Sequence, residues 1–94
     1  MLIGSSFNST LDSILLEAFQ ISEEKEIGRI EVEELNKSLR LDRREIKNYL
    51  EYLSDKNLII LSTIGGPFLY GHVELTSDGI KRAKLIQKKR NSAG

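Results

Sequence analysis

Apolar residues fall at helical spacing in four stretches of this chain and alternate with other residues in a fifth. The densest signal runs from Ile30 to Ile60. Its first part, Val32 to Ser38, sets Val32, Leu35 and the following Leu39 on one face. Its second part, Arg43 to Lys56, sets Ile46, Leu50 and Leu53 on one face, with Tyr49 beside them. Such spacings of three and four predict two amphipathic helices with a break at Leu39-Arg40-Leu41. Asp42 is placed to cap the second helix, because its carboxylate accepts from an orphan amide of the first turn. Glu45, three residues on, completes a capping-box pair. Asn57 ends that helix, since Asn tolerates the left-handed conformation a helix end often needs. The period then changes at once to the apolar run Leu58-Ile59-Ile60-Leu61. Helix, tight turn, helix and strand is the pattern of a helix-turn-helix that runs into a wing.

The flanking stretches complete the plan. Residues 1–8 read as a loose lead-in, with Leu2, Ile3 and Phe7 available to pack on the body. Ser9 or Thr10 caps a first helix to about Ile21, whose buried stripe is Leu11, Ile14, Leu15, Ala18 and Phe19. Leu16 lies off that stripe. Ser22 to Gly28 reads as an acidic loop that turns at Gly28, and Arg29-Ile30 as a very short strand. Glu31 is a poor N-cap for the next helix, although Glu31, Glu33 and Glu34 suit its dipole. After the apolar run, Ile64-Gly65-Gly66-Pro67-Phe68 forms a hairpin tip, because Gly-Gly-Pro breaks any ladder. Leu69 to Leu75 is the return strand. Alternation sets Leu69, Gly71, Val73 and Leu75 toward the core, and Phe68, Tyr70, His72 and Glu74 away from it. Thr76 caps a last helix striped by Ile80, Ala83 and Ile86, with Leu85 pointing almost the other way.

The expected fold class is therefore α+β and mainly helical, with a β-hairpin wing and a C-terminal helix. One domain spans 1–90, with the helix-turn-helix at about 31–56, the wing at about 58–75 and the last helix at about 77–90. Residues 91–94 are expected to be a disordered tail. Ninety-four residues suffice for one small core. Charged residues make up 30% and apolar ones 39%, which fits a soluble globular domain. No apolar run approaches the roughly 20 residues that cross a bilayer, and the start lacks the basic region of a signal peptide. With no cysteine there is neither a disulfide framework nor a thiolate metal site, and a reducing cytoplasm is the expected location.

Net charge is zero, yet its distribution is uneven. Residues 1–36 hold eight carboxylates against two bases, and residues 37–94 hold twelve bases against six carboxylates. That polarity allows a basic binding face and an acidic face opposite. The plain alternative is charge spread over solvated helix faces.

Residues 30–79 resemble a winged helix-turn-helix domain of small bacterial and archaeal transcription regulators, broadly MarR-like, ArsR-like or PadR-like. The matching residues are Leu35, Leu39, Leu41, Ile46, Leu50, Leu53, Leu58 and Ile59, then Leu75-Thr76-x-x-Gly79. Two features depart from the pattern. Arg40 and Asn57 stand where such domains often have Gly, and the wing carries no Lys or Arg. The resemblance implies a DNA-binding regulator of the dimeric kind.

Candidate chemistry follows from the helix after the turn. Arg44, Lys47, Asn48 and Glu51 fall roughly opposite its core face, with Arg43 at the edge. In a helix-turn-helix this face and its N-terminal end enter the major groove. Arg and Lys can donate to guanine there, and Asn48 can pair with an adenine edge. Glu51 and Asp55 would repel phosphate or select cytosine. Lys37, Arg40 and Arg43 are placed to hold phosphates. The expected partners are double-stranded DNA and a second copy of the chain, met through Leu16 and Leu85 of the terminal helices. The other reading is a protein-interaction module that uses Phe68 and Tyr70 of the wing. His72 is the only histidine, so no metal is expected, and no cofactor. No nucleophile–base pair or phosphate-cradling loop is present, which speaks against an enzyme.

Overall fold

The computed structural model describes the backbone over residues 2–63 and 70–93, and side chains over 8–62 and 71–91. The order is α1 (Leu2–Lys25), β1 (Arg29–Glu31), α2 (Val32–Leu39), α3 (Arg43–Asp55), β2 (Ile59–Thr63), β3 (Tyr70–Leu75) and α4 (Ser77–Ala93). It is the winged helix-turn-helix arrangement that the period changes predict. The packing of Leu2, Ile3 and Phe7 and the wing tip 64–69 lie outside the described residues.

Helix α1 is longer than expected at both ends. It begins at Leu2 rather than Ser9 or Thr10, and it runs to Lys25 rather than Ile21. Ser22 to Lys25, expected as loop, form its last turn. Ile21 is buried there, and Glu23, Glu24 and Lys25 are good helix formers. Glu26, at φ 53, takes the left-handed step that ends the helix, in place of Gly28. The Ser22 hydroxyl donates to the Ile27 carbonyl at 2.7 Å and closes the turn. At the other terminus α4 continues to Ala93, three residues beyond the expected end at 90 and into the stretch read as a tail.

The two helix ends around α3 show how the sequence sets the turn. Arg40 caps α2 at φ 55, and its amide donates to the Asn36 carbonyl at 2.8 Å. Asn36 then holds the next residue with both ends of its amide. Its Nδ2 donates to the Leu41 carbonyl at 2.8 Å, and its Oδ1 accepts from the Leu41 amide at 3.0 Å. The capping box of Asp42 and Glu45 is complete. Asn57, at φ 62, closes α3 as a Schellman end, with Leu58 N–H donating to the Leu53 carbonyl and Asn57 N–H to the Ser54 carbonyl.

The sheet has order β1-β3-β2 and is antiparallel throughout. The short strand at Arg29–Glu31 pairs with β3, setting Ile30 opposite Val73. Both are buried, at 0% and 1% exposure, so this pair ties the wing to the helices. Leu61 faces Val73 from the other side. Ser62 pairs with His72 and Thr63 with Tyr70, so Gly71 is an extra residue on β3. That bulge ends the strict alternation at His72, and the two-faced pattern expected for Leu69 to Leu75 does not run through it.

One core joins these elements. Leu11, Ile14, Leu15 and Ala18 of α1 meet Leu35 of α2 and Ile46, Leu50 and Leu53 of α3. Val73 and Ile86 join from the wing and α4. Leu16 is half-buried and rests partly against this core, whereas Leu85 is 57% exposed. No helix among the described residues is long and apolar enough to cross a membrane.

The left-handed Arg40 yields a test. An L-residue in that conformation is strained by about 1–2 kcal/mol, and Gly is not. Gly also loses more backbone freedom on folding, which offsets part of the gain. Arg40→Gly is therefore expected to stabilise the fold by about 0.5–1 kcal/mol in a thermal melt.

Candidate nucleic-acid interface

The N-terminal half of α3 presents Arg43, Arg44 and Asn48 to solvent, and all three are exposed. Arg40 is exposed one short turn before them, and Lys37 in the last turn of α2. The Asn36 clamp fixes the direction in which the chain enters α3. The expected site residues thus share one polar end of the helix pair.

Their charges are unequally free. Lys47 is half-buried, with 33% of its side chain exposed, and its Nζ lies 3.3 Å from Glu51 one turn on. Lys37 is more exposed, at 76%, but its Nζ lies 3.3 Å from Glu34. Glu34 also receives Lys25 at 3.3 Å. Lys25 first, and Lys37 with it, hold the Glu34 carboxyl below its ordinary range. Arg40, Arg43 and Arg44 have no ion-pair partner among the described residues. The free positive charge at this end therefore belongs to three arginines rather than to the lysines.

The N-terminus of α3 is not itself an anion site. Asp42 accepts from the Glu45 amide at 2.8 Å, and Glu45 accepts from the Asp42 amide at 3.2 Å. Two carboxylates occupy the place where a phosphate would meet free amides. An approaching anion must be held by the arginine side chains.

The sheet contributes little positive charge. On its outer face Arg29 Nε lies 3.7 Å from Glu74, His72 pairs with Glu31 across the strands, and Ile60 is exposed. Phe68 lies outside the described residues, as does the Tyr70 side chain, so the aromatic patch stays a sequence expectation. Metal-ligand clusters of three or more His, Cys, Asp or Glu are absent among the described residues.

Sequence reasoning missed Asn36. It is a poor helix former inside a short helix, five residues before the apolar Leu41, and that misfit was the available signal. Tyr52 was also passed over. It is 39% exposed at the far end of α3, with Lys56 Nζ 5.4 Å from its ring centre.

No family model matches the sequence, and no curated protein does. Solved structures do. A doubly substituted mutant of ZitR from Lactococcus lactis in apo form has a TM-score of 0.70 at 16% identity, over 99% of this chain and 65% of that one. YusO from Bacillus subtilis has a TM-score of 0.59 at 16% identity, over 97% of this chain and 72% of that one. A mutant of MarR from E. coli complexed with operator DNA has a TM-score of 0.56 at 16% identity, over 93% and 67%. The chain spans 65% and 53% of the length of the two ZitR structures it matches. At these identities the likeness establishes the winged helix-turn-helix fold.

Proposed function

We propose that this chain is a cytoplasmic DNA-binding transcription regulator that sets α3 into the major groove. The observation that carries the reading is the cluster of free arginines, Arg40, Arg43 and Arg44, with Asn48 beside them on the exposed side of α3. The fold supports it too, since the similar MarR structure is a complex with operator DNA. Arg44 and Asn48 read base edges, where Arg favours guanine and Asn adenine. Lys47 joins them once the groove draws it from Glu51. Arg40 and Arg43 hold phosphates, with Lys37 as a weaker third. Such contacts position the protein but carry no sequence information. Two copies would present two such helices to half-sites about one helical turn apart.

The test is selection from a pool of random duplexes, followed by titration of the enriched site. The parent is expected to enrich one short motif. Lys37→Ala should weaken enriched and random duplexes alike, since it touches backbone only. Failure to enrich any sequence would reject the reading. The wing residues Phe68 and Tyr70 would then become the leading contact, for a protein partner.

A further inference from the structure

Two kinds of contact meet at the exposed end of α3, and they stand on different elements. Lys37 and Arg40, read here as phosphate holders, belong to α2 and its cap. Arg44 and Asn48, read as base readers, belong to α3. Leu41 and Asp42 alone join the cap of α2 to the first residue of α3. Phosphate contacts set the register of a protein on the duplex, and base contacts then specify the sequence. Selection therefore needs a stiff joint between the two sets. Apolar packing fixes that joint incompletely. Ile46, Leu50 and Leu53 seat one face of α3 in the core, but such packing is non-directional. Hydrogen bonds are directional and weaken steeply when bent.

Asn36 supplies directional bonds at the joint. Its side chain donates to the Leu41 carbonyl and accepts from the Leu41 amide, and its own carbonyl accepts from the Arg40 amide. One residue of α2 thus holds both the left-handed Arg40 and the residue that precedes the Asp42 cap. Leu41 is itself half-buried against the core, so the clamp ties an anchored residue rather than a loose loop. The task needs a donor and an acceptor side by side on a short side chain, which an Asn amide offers. An ionised Asp only accepts, and Ala does neither. Asn36 is half-buried, and both ends of its amide are engaged within the turn.

We propose that Asn36 is a positioning residue for sequence selection: it touches no base, and it holds the readers of α3 in register with the phosphate contacts. The proposal rests on the reading of α3 as a DNA reader. It separates two quantities. Long, flexible cations follow a phosphate through a small shift of the helix, so binding to random duplex and its salt dependence persist without the clamp. Base edges demand close geometry, so preference for one site does not persist.

The test sets Asn36→Ala and Asn36→Asp beside the parent and Asn48→Ala, in titrations of the enriched and random duplexes well below each melting temperature. Asn36→Ala should lower the preference for the enriched site by about fivefold or more, the effect of one lost bidentate base contact. Its salt slope on random duplex should match the parent's. Without DNA, exchange of the Leu41 amide hydrogen should speed up in Asn36→Ala and stay at the parent's rate in Asn48→Ala, which separates positioning from direct reading. Asn36→Asp keeps the bond from the Leu41 amide and loses the one to the Leu41 carbonyl. It should lose part of the preference, and it carries the test should Asn36→Ala fail to fold. Either variant discriminating as well as the parent overturns the proposal and leaves the reading of α3 standing. So does unchanged Leu41 exchange in Asn36→Ala. A parent that enriches no sequence rejects the reading of α3 itself, and this role with it.

Discussion

Leu50→Ala is expected to remove about 2–5 kcal/mol of stability, the range for truncating a buried leucine. Leu50 is 0% exposed and lies within the one core that joins α1, α2, α3 and the wing. Loss of its side chain leaves a void that neighbours fixed on several elements cannot close together. A domain of this size has a total stability of about 5–15 kcal/mol, so the variant keeps little in reserve. At roughly 4–8 °C per kcal/mol, the melting temperature should fall by about 10 °C or more. A melt within a degree or two of the parent would show that α3 is not seated as described.

Gly79→Ala should be nearly as damaging, for a different reason. A methyl group at this position would be driven into the carbonyl of Leu58, which is backbone and has no rotamer to escape into. The same junction is held by several bonds. Thr76 N–H donates to the Leu58 carbonyl at 3.1 Å, and the Thr76 hydroxyl donates to the Asn57 carbonyl at 2.7 Å. That hydroxyl also accepts from the Gly79 amide at 3.0 Å, which caps α4. Relief would move the first turn of α4 off the end of α3 and loosen these bonds. The expected cost is about 3 kcal/mol, the upper end for overpacking. Gly28→Ala is the control. Nothing lies within 4 Å of its added carbon, and the change should be neutral or slightly stabilising in a thermal melt run beside Gly79→Ala. Equal melting of the two variants would contradict the close approach of α4 to Leu58.

These two positions also show what the sequence could reveal. Leu50 was legible because Ile46, Leu50 and Leu53 recur at helical spacing between a capping box and an Asn stop, and each signal is local. Gly79 was legible only as part of Leu75-Thr76-x-x-Gly79, since the carbonyl it must clear lies 21 positions away. The ends of α1 were not legible. No strong breaker separates residues 2–8 from the stripe beyond, so the serine and threonine that resembled caps lie inside the helix. The bulge at Gly71 depends on the register of β2 against β3, which no single strand encodes. At the candidate site, the face of α3 could be read from its period. Which cations were free could not, because Glu34 reaches Lys25 across nine positions and Lys37 within its own helix.

The most direct test of α3 as a DNA reader is a salt-dependent titration of labelled duplexes with the parent and with Arg44→Ala combined with Lys47→Ala. If Lys37, Arg40 and Arg43 hold phosphates as proposed, they neutralise about three per chain, and the expected log–log slope in salt is near −3. The double variant should keep that slope and nearly keep its melting temperature, because Arg44 is exposed, the half-buried Lys47 ends in an ion pair with the partly exposed Glu51 that contributes little to stability, and neither is assigned to backbone phosphate in this reading. It should lose the parent's preference for the enriched site over random sequence, a difference of about tenfold or more. A parent with no salt-dependent binding, or a double variant that discriminates as well as the parent, would contradict the account.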